Sequence, residues 1–339
     1  MSRFDPFTPV DLCYHMVDNH ALEATLFIPT HLASRPRCSV LVHFHGGGFL
    51  MGHRRYEPWF AQWFLDLARA HEAIIIRPDY RLLPESSVGD ILQDIDQFWR
   101  WMQRDLPSIM AHKYPELGVL PDLSRVLCCG ESSGGCLAVY SALELDSILP
   151  TGEKAGCPKV TIQAAISTYA PLDPDVPKLR IPRPRTFMGI RPPPPRQAET
   201  IIKKYMQTCS QHLGAIRSRQ EPTPEMWEVF LCMVQQCYFT RLLKRTDGGT
   251  HGVNMVERMM AKAKEQQATV PTWIIHGRND TLAPFQCAVN YVQRMKEVSP
   301  STPIRLDLLP GDHLFDVDMT ADDEWIAEGR RVFLHNYWP

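Results

Sequence analysis

The sequence predicts an α/β fold built on a mostly parallel sheet, and three observations carry that expectation. Short apolar runs alternate along the chain with longer amphipathic ones, the pattern of strands joined by crossover helices. Two of the predicted strands run directly into glycine clusters, His45-Gly46-Gly47-Gly48 and Gly130-Glu131-Ser132-Ser133-Gly134-Gly135. A length of 339 residues accommodates one such core plus an insertion.

The elements follow in order. Leu12 to Val17 and Ala21 to Ile28 read as an antiparallel pair turning at Asp18-Asn19. Ser39 to Phe44 is a strand that ends in glycines, and Trp59, Phe60, Trp63, Phe64 and Leu67 recur at helical spacing. Ala73 to Ile76 is a buried strand, and Ile91, Ile95, Phe98 and Met102 mark a helix by their 3.6-residue period. Arg125 to Cys129 enters the second glycine turn, Leu137 to Leu145 continues as a helix, and Val160 to Tyr169 is a further strand.

There the rhythm breaks. Nine prolines stand between Pro171 and Pro195, excluding regular helix or central strand. Ile201 to His212, Pro224 to Leu243 and Val253 to Gln267 read as helices. Strands resume at Thr272 to His276 and Ile304 to Leu309, with a helix around Phe285 to Val298 between them and a closing helix over Ala321 to Tyr337. The expected organisation is a core of residues 1–170 and 268–339, interrupted by a proline-rich and helical lid over 171–267.

Hydrophobic residues make up 44% of the chain and charged residues 22%, so a packed core is expected. Lys and Arg number 36 against 38 for Asp and Glu, which leaves no large field to hold nucleic acid or an anionic membrane. A neutral organic substrate suits this balance better, and a hydrophobic small molecule is the expected partner. The N-terminal stretch has no apolar segment resembling a secretory signal, and no run is long enough to span a bilayer, so a cytoplasmic location is expected. The ten cysteines are then read as reduced, mostly buried thiols without zinc-finger spacing, including the neighbours Cys128 and Cys129 and the pair Cys232 and Cys237 on one predicted helix. No metal or cofactor is expected. Either a monomer or a homodimer fits.

Gly130-Glu131-Ser132-Ser133-Gly134 is a G-x-S-x-G sequence between a predicted strand and a predicted helix. Alone it reads equally well as a glycine turn with an idle serine. Its place between strand and helix favours a nucleophile, because the serine then sits in a tight turn whose neighbours lack side chains, at a helix N-terminus that favours negative charge. His45-Gly46-Gly47-Gly48 is either a flexible strand exit or an oxyanion loop. With Ser132 present the second reading is favoured, and the N–H groups of Gly47, Gly48 and Ser133 are the expected donors.

Serine needs a base. Among thirteen histidines, His313 lies just after a predicted strand near the C-terminus, in Gly311-Asp312-His313-Leu314-Phe315. His276 ends a strand but precedes the loop where an acid is expected, and is read as structural. Asp280 occupies that loop, where a carboxylate often only caps the next helix, yet the chain order serine, acid, histidine fits the arrangement of α/β-hydrolases. Asp312 and Asp307 are the fallback acids. Phe49, Leu282 and Phe315 flank these motifs and are the candidate substrate contacts.

Taken together, His45 to Phe49, Asp79-Tyr80-Arg81-Leu82-Leu83-Pro84-Glu85, the Ser132 turn, Asp280-Thr281-Leu282 and the His313 turn resemble the hormone-sensitive-lipase group of carboxylesterases, the α/β-hydrolase-3 family. The resemblance runs from about Ser39 to the C-terminus, outside the insertion. It implies an eight-stranded α/β-hydrolase architecture, Ser132 as nucleophile, His313 as base, Asp280 as acid, and ester hydrolysis without a cofactor. Glu131 and Ser133 stand where that family usually has Asp and Ala, Leu314 replaces a common glycine, and the N-terminal lid helices of many members are missing. The Asp79 to Glu85 segment is read as structural. Leu82-Leu83 and Phe98-Trp99-Arg100-Trp101 are similar to fungal members of natural-product pathways. Met188, Trp227, Phe230, Met233 and Phe239 are either lid core or lining for an apolar pocket, with lid core the more frequent outcome at such spacing.

The leading expectation is hydrolysis of a carboxylic ester or thioester. Two rivals keep the fold: a lyase, dehydratase or cyclase/isomerase acting on a natural-product intermediate, and a non-catalytic small-ligand receptor. Covalent labelling of Ser132 separates the first rival, and retention of His313 weighs against the second.

Overall fold

The computed structural model describes residues 2–30, 37–149, 159–211, 215–243, 252–264 and 270–338. Eight strands form one sheet: β1 (Phe7–Val17), β2 (His20–Pro29), β3 (Arg37–Phe44), β4 (Ile74–Pro78), β5 (Leu120–Glu131), β6 (Ile162–Thr168), β7 (Thr272–Gly277) and β8 (Ile304–Leu309). Their spatial order is β1-β2-β4-β3-β5-β6-β7-β8. The β1/β2 and β2/β4 pairs are antiparallel, and every pairing from β4 across to β8 is parallel. The predicted α/β architecture is borne out.

Side-chain alternation divides the central strands between two cores. Val40, Val42, Ile74, Ile76, Val126, Cys128 and Ile274 face one hydrophobic cluster, while Leu41, Ile75, Leu127, Cys129, Trp273 and Ile275 face the other. The neighbours Cys128 and Cys129 therefore point to opposite sides of the sheet, which rules out their bridging. All nine described cysteines are free, and only Cys13 is exposed.

The helices cover both faces. On the second cluster lie α1 (Gln62–Ala70) and, from the far end of the chain, α11 (Glu324–Val332), which meets it through Ile326. On the first lie α2 (Val88–Arg104), α3 (Leu106–Lys113), α4 (Ser133–Ile148) and α10 (Gln286–Val298). A reciprocal cap starts α2: the Ser87 hydroxyl accepts the Asp90 N–H at 3.1 Å and the Asp90 carboxylate accepts the Ser87 N–H at 2.7 Å. Such a cap contributes about 1 kcal/mol. Residues 171–267 add no strand among the described residues but carry α5 (Pro177–Arg180), α6 (Pro195–Ser210), α7 (Pro224–Gln235), α8 (Tyr238–Leu243) and α9 (Met255–Lys264). No helix of the described chain is long and apolar enough to cross a membrane.

Several predicted boundaries move, each for a local reason. The helix expected from Trp59 begins at Gln62, whose N–H is drawn to the Val317 carbonyl at 3.0 Å. The proline-rich stretch contains one helical turn at Pro177, and its last proline, Pro195, opens α6, because a missing N–H costs nothing in a first turn. The single helix expected over Pro224 to Leu243 is two, broken where Cys237 adopts φ 52°. The closing helix ends at Val332, followed by a 3-10 turn that lets Trp338 donate to the Arg125 carbonyl at 3.1 Å. Helix α3, which buries only Leu106 and Met110, had no periodic signal to announce it. The predicted helix ends at His212 and Gln267 lie outside the described residues.

One buried carboxyl makes the packing of α1 pH-sensitive. Asp316 is fully buried, accepts the Trp63 indole N–H at 2.9 Å through one oxygen, and leaves its other oxygen without a partner. Burial pushes its pKa up from 3.8 to about 6, against the pull of its hydrogen bonds. The native state thus holds this proton more tightly than the unfolded chain. Its stabilising contribution is full below the unfolded value and is lost as pH rises through about 6. An Asp316→Asn protein keeps an acceptor for Trp63 without the ionisation. Its melting temperature relative to wild type is expected to climb between about pH 4 and 6 and then level off. A difference that stays constant from acid to neutral pH would contradict this account.

Candidate active site

The turn at Ser132 is set by backbone packing. β5 ends at Glu131 and α4 begins at Ser133, so Ser132 alone makes the reversal, at φ 53° and ψ −122°. This is the left-handed region that side chains other than glycine seldom enter. A Cβ on Gly134 would lie 2.1 Å from the Phe44 carbonyl oxygen, so only glycine lets the start of α4 approach the end of β3 so closely. The hydroxyl is thereby lifted beyond the sheet's edge, and the Ser133 N–H stands at a helix N-terminus.

His313 and Asp280 arrive from the ends of β8 and β7. Ser132 Oγ lies 3.0 Å from His313 Nε2, and His313 Nδ1 lies 2.8 Å from Asp280 Oδ2. Asp280 Oδ1 accepts the N–H groups of Leu282 and Ala283 at 2.9 and 2.8 Å. Burial works to raise the Asp280 pKa, but the imidazoles of His313 and His276 outweigh it and hold the carboxyl well below its usual value. His276, read from sequence as structural, is fully buried, with Nε2 3.3 Å from Asp280 Oδ2 and 2.8 Å from the Ala283 carbonyl, so it braces the acid's loop.

The fallback acids are engaged elsewhere. Asp312 accepts the N–H of Thr281 and that of His313, each at 2.7 Å, and the Thr281 hydroxyl at 2.8 Å, tying the two loops together without touching the imidazole. Asp307 accepts the Trp273 indole at 2.7 Å and Arg305 at 2.6 Å.

The glycine loop after β3 holds Gly47 at φ 101° and Gly48 at φ 64°. The N–H groups of Gly47, Gly48 and Ser133 reach no protein acceptor among the described residues, and all three residues border the cavities at Ser132. Free donors beside a serine hydroxyl have the chemistry to hold an oxyanion if one forms there.

Sequence reasoning assigned no task to Glu131, His43 or Arg77, which lie behind this loop. Glu131 is buried and accepts the Gly46 N–H at 2.8 Å through Oε1. Its Oε2 lies 2.5 Å from His43 Nε2, close enough for an ion pair but out of line for a hydrogen bond. Burial pushes the His43 pKa down while Glu131 pulls it back. Behind them Arg77 is fully buried, with no hydrogen-bond partner for its guanidinium and with Phe60 4.6 Å beneath it. Burial lowers its pKa to about 10 against the carboxylates of Glu131 and Asp79. Tyr80 stacks on His45 and donates to its carbonyl at 2.6 Å, and burial lowers the His45 pKa to about 3. The Ser133 hydroxyl accepts the Phe49 N–H at 3.3 Å. The Glu131 signal was visible in the sequence as a departure from the family pattern. The acceptor it supplies was not.

The Asp79 to Glu85 segment fastens the same region from outside. Arg81 pairs with Asp94 at 2.8 Å, and Glu85 pairs at 2.9 Å with Arg217, which also donates to the Leu50 carbonyl at 3.0 Å.

Two cavities meet at Ser132 and His313. The larger is lined by Phe49, Pro171, Val234, Phe239 and Leu282 among others. The smaller is lined by Gly47, Met51, Trp59, Trp227 and Leu314. Phe230 and Leu282 border both. Phe49 and Leu282 therefore sit where a substrate contact was expected. Phe315 does not. Leu314 turns at φ 64°, so the next side chain packs downward on Tyr169 and Trp325, each 6.1 Å away between ring centres, and Leu314 takes the place at the cavity. Of the insertion residues, Trp227, Phe230 and Phe239 line cavities at the site, Met188 lines only an outer cleft, and Met233 is core. No cluster of metal-ligating side chains occurs among the described residues.

A family model described as the α/β-hydrolase fold matches residues 41–189. The chain is 37% identical to a probable carboxylesterase of a Phoma species, over 99% of this chain and 98% of the relative. It is also 26% identical to part of a non-reducing polyketide synthase of Acremonium egyptiacum, over 95% of this chain but 15% of that one. Among solved structures, esterase 2 of Thermogutta terrifontis phosphonylated by sarin superposes with a TM-score of 0.55 at 19% identity, covering 96% of this chain and 92% of that one, a likeness of fold.

The anchoring of Gly46 predicts a separable effect. Glu131→Ala removes the acceptor that holds the glycine loop and is expected to lower kcat by about 10- to 100-fold with KM little changed, less than outright loss of an oxyanion donor. Glu131→Gln keeps an amide oxygen for the Gly46 N–H and should recover most of the rate. Steady-state kinetics on a short p-nitrophenyl ester measure both, and equal losses in the two variants would mean that the charge, not the hydrogen bond, matters.

Proposed function

The chain belongs to the α/β-hydrolase-3 family and is a carboxylesterase-type hydrolase, and from that premise we propose that it cleaves a carboxylic ester or thioester of a hydrophobic small molecule through an acyl-enzyme on Ser132. The observation that carries this reading is the continuous line of contacts from Asp280 through His313 to Ser132, at 2.8 and 3.0 Å. Each distance is within the reach that proton transfer needs.

The chemistry follows from those contacts. Ser132 Oγ attacks the carbonyl carbon while His313 Nε2 takes the hydroxyl proton. Asp280 holds the imidazole through Nδ1 and offsets the positive charge that forms on it. The carbonyl oxygen becomes an anion beside the N–H groups of Gly47, Gly48 and Ser133. As the tetrahedral centre collapses, His313 returns the proton to the departing alcohol or thiol, leaving the acyl group on Ser132. Water then attacks that ester, again giving its proton to His313, and the acid leaves as the serine is restored.

The mainly apolar lining of both cavities supports a hydrophobic substrate.

With p-nitrophenyl butyrate, Ser132→Ala and His313→Ala are each expected to lose about 10³-fold or more in kcat, and Asp280→Asn a comparable amount through the wrong imidazole tautomer. A fluorophosphonate should add one adduct to wild type and none to Ser132→Ala by intact mass. A Ser132→Ala protein as active as wild type would remove the serine from the mechanism.

A further inference from the structure

The two cavities that meet at Ser132 are unequal, and Trp227 in α7 forms part of the smaller one's wall. It stands edge-to-face against Trp59 with ring centres 5.8 Å apart and against Phe230 at 5.5 Å. The same indole, alone among the residues lining the smaller cavity, also lines an outer cleft whose other walls include Phe187, Ile190, Pro193 and Leu231. One ring is thus the partition between the short arm of the site and a large apolar space outside it. The longer arm is bounded differently, by Val234 and Leu243 beside the α7–α8 break, and does not touch Trp227.

Resting on the reading of Ser132 as the acylated residue, we propose that Trp227 is a specificity-determining residue that stops the short arm, and that the substrate is an asymmetric ester or thioester with one short substituent and one bulky apolar substituent about its carbonyl. The two substituents leave the reacting centre into different cavities, past Phe230 and Leu282, which border both. A chain seated in the short arm meets the Trp227 and Trp59 rings, and close-packed aromatic rings yield little space without displacing their neighbours. A chain in the longer arm passes the Phe230–Phe239 pair, ring centres 5.4 Å apart, and runs toward Val234 and Leu243 without reaching Trp227.

The experiment uses two substrate series on the full chain: p-nitrophenyl esters from acetate to decanoate, which lengthen the acyl side, and alkyl butyrates from ethyl to decyl, which lengthen the alcohol side. In wild type, kcat/KM should fall steeply with length in one series and tolerate length in the other, which identifies which substituent occupies the short arm. Trp227→Ala opens that arm into the outer cleft. It should raise the ratio of kcat/KM for the longest to the shortest member of the intolerant series by at least about tenfold, because each accommodated methylene contributes severalfold. The ratio in the tolerant series should move by less than about twofold. Trp227→Leu, which keeps an apolar side chain in α7, should give an intermediate ratio and serves if the alanine variant does not fold. Variants that still take up a fluorophosphonate at Ser132 yet keep wild-type ratios in both series overturn the proposal. Failure of the underlying hydrolase reading looks different, since wild-type protein itself would then take up no label.

Discussion

The approach of α4 to the end of β3 is the constraint from which the rest of the site follows. Gly134 stands so near the Phe44 carbonyl that no Cβ fits between them. That contact fixes two things at once. It forces Ser132 into its left-handed turn above the sheet, and it brings the loop leaving β3 alongside the first amide of α4, so that donors from segments some eighty residues apart border one hydroxyl. A backbone approach of this kind cannot be replaced by a favourable side chain elsewhere, because the strain at Ser132 persists only while its surroundings over-determine it.

The loops that carry the partners are then tied to one another more than to the sheet. Asp312 bridges to Thr281 and so joins the histidine turn to the acid turn, Glu131 holds Gly46, and Arg217 from the insertion reaches the Leu50 and Leu83 carbonyls. Each tie satisfies a backbone group that would otherwise be buried unpaired, at a cost of about 1–3 kcal/mol. Rigid placement and polar satisfaction are here the same interactions. The stretch over residues 171–267 that supplies Phe230 and Phe239 to the cavity lining therefore also supports the glycine loop, through Arg217.

The strands, the two glycine turns and the order of serine, acid and histidine were legible because each leaves a local mark: a period of two, a glycine where a turn demands it, a polar residue at a strand's end. What was not legible depends on where side chains land after the chain folds. Phe315 follows the histidine by two residues and seemed placed for the pocket, but positive φ at Leu314 exchanges the two side chains' roles. Helix α6 starts at the last of a run of prolines that had argued only for a boundary, because the same missing N–H that forbids an interior position suits a first turn. Glu131 stood out as unusual beside the serine, yet its acceptor role needs β3 and β5 side by side. Asp280 and Asp312 both stand between Ser132 and His313 in the chain, so the order serine, acid, histidine does not choose between them. The geometry separates them, since Asp312 turns its carboxylate to Thr281 and to the backbone of His313 while Asp280 faces the ring.

The site is polar behind and apolar in front, and this asymmetry bears on its chemistry. Behind Ser132 lie Glu131, His43 and the unpaired guanidinium of Arg77, all buried. In front lie Phe49, Phe230, Leu282 and the roof of the insertion. Charges and dipoles held in a dry interior act over a given distance more strongly than in water. A carbonyl entering from the apolar side leaves its hydration behind and meets amides whose orientation was set when the chain folded. On the acyl transfer proposed for Ser132, the energy that would otherwise go into arranging solvent around a developing oxyanion would already be spent in folding the glycine loop, so the buried groups that hold that loop would bear on the rate without reaching the substrate.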